Sequence, residues 1–353
     1  MKRYFLISML FVWAACVDPY NFQTSSGELL VTVEGFITTA PGPHFIRLSR
    51  SDRYGSVFEG LVRPISRATV IIRDKEGNIE FLEETEMDGT YKTSEQFSAE
   101  IGKEYIIQVK TAAGKNYTSL PESPYPVPPI DSITINTVVI PTTNPLIDLS
   151  GAQLVAHFKD PADEKNYYQW VHGESVHVLV TNPELYTLPR FDDTNPRGPA
   201  PKDCCDRCYR NERLTRMPLV IADDISFNGN ATRLPVMIIP DNGQRFRETY
   251  RMDVHQMSIS EKAYRFLLLA KQQLETEGNI FDPPPANIRG NMISLDDPEE
   301  VVLGYFYVCD VQTRRVYIHN RDMAWLQPVN VIPDDCREVP NSFINPPPDW
   351  DPN

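Results

Sequence analysis

Long hydrophobic runs are absent from this sequence. Beyond residue 15, no stretch approaches the ~18 apolar residues of a membrane-crossing helix. Positive charge is also short, with 34 Lys and Arg against 48 Asp and Glu and a net charge of −14. That balance argues against a nucleic-acid binder, because phosphate contacts need a basic surface. Glycine is not abundant, at 17 of 353 residues. The histidines (His44, His157, His172, His177, His255 and His319) form no HExxH or comparable metal pair. There is no Gly-x-Ser-x-Gly elbow and no glycine loop of the phosphate-binding kind. What is abundant is proline, 31 residues where a share of ~5% is usual. Proline without glycine points to stiff loops and strand edges rather than a mostly helical chain. The apolar share of 41% is that of a globular protein, and the length allows two or three domains.

The first residues carry a targeting pattern. Met1-Lys2-Arg3 is basic, Tyr4 to Trp13 is apolar, and Ala14-Ala15-Cys16 follows. Ten residues make about 15 Å of helix, too short for the hydrocarbon core. A basic start, a short apolar run and small residues form a secretory signal, expected over 1–15. A cysteine directly after two alanines makes it a lipoprotein signal, with Cys16 taking the lipid. Trp13 departs from the aliphatic residue usual there. Residues 16–27 are then a lipidated tether, and the chain is expected to be anchored to a membrane of the cell envelope. Several acyl chains on one residue suffice as an anchor, each buried methylene contributing ~0.8 kcal/mol.

The rest reads as mainly β, in two sandwich-like domains. From 28 to 120, alternating segments recur every ~8–12 residues with turns between them, as at Asp88-Gly89. Segments such as Gly102-Lys103-Glu104-Tyr105 look like an immunoglobulin-like or transthyretin-like module. Residues 121–130, rich in proline, form a semi-rigid spacer. Residues 131–332 form a second β-rich domain with one packed helix over 259–277. Its start is marked by a capping box from Ser258 to Glu261, and its apolar stripe runs through Ala263, Tyr264, Leu267 and Leu274. Strands are expected at 301–309 and 315–319. Residues 182–217 are polar and aperiodic and read as a surface loop, and 333–353 as a tail.

Five cysteines follow Cys16: Cys204, Cys205, Cys208, Cys309 and Cys336. An oxidising envelope favours disulfides, and the expected link runs from the 204–208 cluster to Cys309 or Cys336. Adjacent Cys204 and Cys205 are expected not to bond each other. Cys205-Asp-Arg-Cys208 also has the spacing of half a zinc knuckle, a competing reading; no bound metal or cofactor is expected. Arg207, Arg210, Arg213 and Arg216 recur every three residues in an acidic chain. They are candidates for contacting a partner, arginine being favoured at interfaces, or a charge run offsetting Asp203, Asp206 and Glu212. Asp131-Ser132-Ile133 matches a short O-glycosylation motif, with Ser132 as acceptor. Tyr167, Tyr168 and Trp170 fit a core better than a sugar platform. His172 and His177, five apart on an extended segment, are expected on opposite faces. Asp282 and Asn291 fit turns better than catalysis.

Larger blocks carry a resemblance. Ser258 to Gln272, Gly278-Asn-Ile-Phe-Asp-Pro-Pro-Pro-Ala286, Arg289-Gly290-Asn291 and Val302-Leu303-Gly304-Tyr305-Phe306 resemble the domain of unknown function 4249 family. Cys16-Val-Asp-Pro, Leu29 to Gly35 and Tyr117 to Leu120 fit it as well. The resemblance implies a β-rich envelope lipoprotein of Bacteroidota-type bacteria, commonly encoded beside a TonB-dependent outer-membrane receptor. It brings no catalytic residues. The expected function is therefore a non-enzymatic lipoprotein that partners such a receptor in nutrient uptake. The alternative is a surface hydrolase of glycans or peptides, or an adhesin.

Overall fold

The computed structural model describes residues 30–51, 63–142, 144, 146, 148–162, 164–182, 204–212, 214, 217–275 and 288–352. The expected signal and tether with Cys16, and also Arg213, Arg216 and Asp282, lie outside the described residues. The first half of the chain forms β1 (Val31–Thr38), β2 (Phe45–Arg50), β3 (Arg63–Pro64), β4 (Thr69–Asp74), β5 (Ile79–Glu84), β6 (Thr90–Lys92), β7 (Tyr105–Lys110) and β8 (Asn116–Ser119). The second half forms β9 (Ser132–Ile140), β10 (Leu149–Lys159), β11 (Tyr167–Val180), β12 (Arg207–Glu212), β13 (Val220–Asp223), β14 (Ala231–Pro240) and β15 (Thr249–Ser258). The helix α1 (Glu261–Leu274) follows, then β16 (Met292–Ser294), β17 (Leu303–His319) and β18 (Ser342–Phe343).

The protein is mainly β and sandwich-like. One extended sheet runs β16-β8-β7-β4-β5-β6-β2-β1-β17-β15-β11-β12-β18, with β3 on β2 and β13 on β11; a second sheet is β14-β10-β9. Alternation explains the strands. In β4, Val70, Ile72 and Asp74 are buried while Thr69, Ile71 and Arg73 are not. The inward side chains of β1, β2, β4, β7 and β8 make the first core. The second core lies between the three-stranded sheet and the strands β11, β15 and β17. The helix lies over Tyr305, Tyr307 and Met257 in a smaller third cluster.

The first core is not confined to 28–120. Met292, Val302, Phe306 and Val308 complete it, because the chain returns to the first half before it ends. The segments expected at 301–309 and 315–319 are one strand, β17. Its first half runs parallel to β1 from Thr32–Leu303 to Thr38–Cys309, and its second half runs antiparallel to β15 from Ser258–Asp310 to Thr249–His319.

The proline-rich segment also differs from a free spacer. The amide of Val127 donates to Asp310 (2.8 Å), Pro128 O accepts from Gln256 Nε2 (2.8 Å), and Tyr125 O accepts from the Ser258 hydroxyl. Val127 and Ile130 enter the second core. Prolines lack the amide needed to pair in a ladder, and side-chain donors of β15 take up the Tyr125 and Pro128 carbonyls. Ser258 is therefore a strand residue, and the helix cap is Ser260, whose oxygen accepts from the Ala263 amide (3.1 Å).

Where β1 and β17 lie side by side, Gly304 has φ +87°, and a Cβ there would stand 2.0 Å from Val33 O. Only glycine fits this left-handed position against a neighbouring backbone. Gly304→Ala is expected to cost more than ~4 kcal/mol, at the severe end for single substitutions. A thermal melt within a few degrees of wild type would contradict this.

Candidate functional site

The ladder between β11 and β15 in the extended sheet is interrupted by a bulge in β11. His172 faces Val254, yet the next paired residue, Ser175, faces Met252. The bulge absorbs one residue, so His172 and His177, expected on opposite faces, share the inner one. Their partners Val254 and Tyr250 both belong to the second core. Gly173 allows the bulge to lie against β15, since a Cβ there would stand 2.3 Å from His255 Nε2.

Two hollows meet at this bulge. A polar one of about 580 Å³ is lined by His172, Glu174, Ser175, Asn211, Glu212 and Asn341. An apolar one of about 260 Å³ is lined by Trp170, Leu214, Met217, Val236 and neighbours, and His172 borders both. Beside the polar hollow, Arg245 holds Glu212 with two hydrogen bonds of 2.7 Å. Burial opposes ionisation of Glu212, but the arginine fork outweighs it and keeps the carboxyl below its ordinary range. His177 is fully buried, its Nδ1 3.7 Å from Glu212 Oε2, and neither ring nitrogen has a hydrogen-bond partner. Burial drives its pKa down to about 4 against the opposing pull of Glu212, so the ring is neutral. The Ser175 hydroxyl donates to the Glu212 carbonyl (2.6 Å). Hydroxyl and carboxylate are thus both engaged by the fold. Among the described residues, no three His, Cys, Asp or Glu side chains converge as a metal site would require.

The cysteines are resolved in detail. Cys208 is bonded to Cys336, with Cα atoms 5.7 Å apart. Cys204 and Cys205 are bonded to each other, contrary to the expectation for adjacent cysteines; Cys205 takes the left-handed region with φ +77°. Cys309 is a free buried thiol, pushed well above its ordinary pKa by burial, in a different apolar cluster from the other pairs. The bond to Cys336 spans 128 residues, worth about 4–5 kcal/mol in the chain-entropy model. Non-reducing peptide maps are expected to show the 208–336 link with Cys309 alkylated only after denaturation; stoichiometric zinc on five reduced thiols would contradict it.

This bond ends in the tail, which is not a plain loop. Residues 336–338 form a 3-10 turn, and β18 pairs with β12. Within the expected 182–217 loop, Arg207–Glu212 is strand β12, paired along β11. Arg207 and Arg210, three apart on a strand, therefore point to opposite faces. Arg207 pairs with Glu248, and Arg210 is half-buried opposite His177 and Ser342. Ser132 is exposed at the start of β9, an outer strand of its sheet. Tyr168 and Trp170 lie in the core beside Phe158, while the Tyr167 ring lies tilted against Tyr264 of the helix, 5.0 Å between centroids. Asn291 is buried and bridges the Phe306 backbone in both directions (2.7 and 3.0 Å).

Sequence reasoning missed the Glu212–Arg245 pair and the bulge. Glycine within the β-branched segment 167–180 was the one available signal, since it often marks a bulge.

The model of the family described as Domain of unknown function (DUF4249) matches residues 17–315. No curated protein matches the chain.

Proposed function

We propose that this chain, which belongs to the DUF4249 family, is a lipid-anchored outer-membrane protein that serves a TonB-dependent receptor as a non-enzymatic, ligand-binding partner. The observation that carries this reading is Ala14-Ala15-Cys16 behind a short apolar run, the pattern of a lipidated export signal. The β body supplies a rigid support, and its polar hollow at the β11 bulge is the place for a ligand. Recognition rather than turnover is supported by the engaged state of Ser175 and Glu212 and by the neutral, enclosed His177.

The test is a pull-down of the tagged full chain from detergent-solubilised outer membrane. A TonB-dependent receptor is expected to co-purify in stoichiometric amount, and Cys16→Ser to move the protein into the soluble fraction. A chain that stays with membranes at high salt despite Cys16→Ser would remove the anchor. Hydrolysis of a glycan or peptide panel by the wild type would replace the binding reading with the enzymatic one.

A further inference from the structure

The outer face of the strands β12, β11, β15 and β17 is covered by the chain's own carboxy-terminal segment. Val176, Val178 and Tyr209 form an apolar patch there, and Trp350 packs against it. The Trp350 ring meets Tyr209 at 5.1 Å and Tyr317 at 5.5 Å, both edge-on, with the Arg251 guanidinium 5.9 Å from its centroid. Asp349 bridges two arginines. Arg251 Nη1 donates to Oδ1 at 2.6 Å, and Arg315 donates to Oδ2.

Arg251 is 1% exposed. Its other ionic partner is Glu174 at 3.6 Å, and its Nε has no hydrogen bond. A buried guanidinium without a close counter-charge is costly, and here the close counter-charge comes from the tail. The tail itself adds no strand to the sheet beyond β18. Past Phe343, no backbone-to-backbone bond joins residues 344–352 to another element among the described residues. The contacts on the sheet include those of the Asp349 and Trp350 side chains, a bond from Arg315 Nη1 to the Asp349 carbonyl (3.5 Å) and bonds with the Tyr317 hydroxyl, one of them from the Asp351 amide (3.0 Å). Pro346-Pro347-Pro348 stiffens the approach and lowers the ordering cost of the segment.

We propose that this face is a docking site for an acidic–aromatic peptide segment of a partner protein, and that the tail Asn345–Pro352 is its built-in competitor. A carboxylate fitting between two guanidiniums and an indole seated among tyrosines are what the site recognises. Tryptophan, tyrosine and arginine are also the residue types that concentrate binding energy at interfaces. The proposal does not depend on the membrane anchor or on the receptor.

The experiment uses the full chain carrying Asp349→Ala and Trp350→Ala, with a fluorescent peptide of the sequence Asn345–Asn353 as the probe. The variant is expected to bind the peptide at least ten-fold more tightly than the wild type, whose own tail competes. Peptides with Asp→Asn or Trp→Ala at the matching positions are expected to lose that binding. A folded variant that ignores the peptide, or equal binding by wild type and variant, overturns the proposal. If the double variant fails to fold, Asp349→Asn alone is read by the same titration. A wild-type dimer held by exchanged tails would make a second copy the occupant and overturn the partner assignment.

Discussion

Residues 28–130 produced alone are expected to give no cooperative unfolding transition. The first core needs Met292, Val302, Phe306 and Val308 from the far end of the chain. Each such side chain contributes about 1.5–3 kcal/mol when buried, so four of them approach the 5–15 kcal/mol of a whole domain. The fragment also strips β1 of its neighbour β17 and β8 of its neighbour β16, leaving two open edges. A chain extended to residue 319 restores all of these groups and is expected to recover a cooperative melt. A dispersed amide spectrum from the short fragment would contradict this account of the core.

His177→Phe is expected to remove much of the protein's loss of stability in mild acid. Burial lowers the folded pKa of His177 to about 4 from an ordinary 6.5. Below pH 6.5 the unfolded chain takes up a proton that the folded chain refuses. The contribution of His177 is therefore fully present above about pH 6.5 and is lost as pH falls toward 4. The full difference is about 3 kcal/mol. Neither ring nitrogen has a partner, so phenylalanine forfeits no hydrogen bond and keeps the stack on Tyr250. Urea titrations at pH 7 and pH 4.5 compare the two proteins. Parallel pH profiles would assign the acid sensitivity elsewhere, with His44 and His255, both lowered chiefly by burial, as the next groups.

The elements that alternate strongly were legible in the sequence. β1, β2, β4, β7, β9, β10 and β15 fall where β-branched and aromatic residues recur at period two. β14 was not, because Pro235 and Pro240 break its pattern. Its outer position in the three-stranded sheet and a bulge at Val236, opposite Leu154 and Val155, accommodate them. β12 and β18 were hidden by polarity: Arg-Cys-Tyr-Arg-Asn-Glu carries no apolar period and is kept as a strand by its ladder to β11. Long-range pairing leaves no local trace either, so the return of 292–308 to the first core was invisible. The cysteines announced a cross-link but left its partner open. Of the polar hollow, the histidines were in view but the bulge that aligns them was not. A one-residue insertion is a matter of register, which period counting does not resolve.

The parallel pairing of β1 with the first half of β17 also decides how the protein bears load. A pull on the chain at Leu30, resisted at the His319 end of β17, drags the two strands past each other along their length. Every pair from Thr32–Leu303 to Thr38–Cys309 is then loaded in shear at once, whereas a hairpin pulled from its open end gives way one pair at a time. The same strand continues alongside β15 into the second core, so force entering at the start of β1 reaches that core through continuous backbone rather than through a hinge. A tension applied between these two points would be transmitted as displacement, with little of it absorbed on the way.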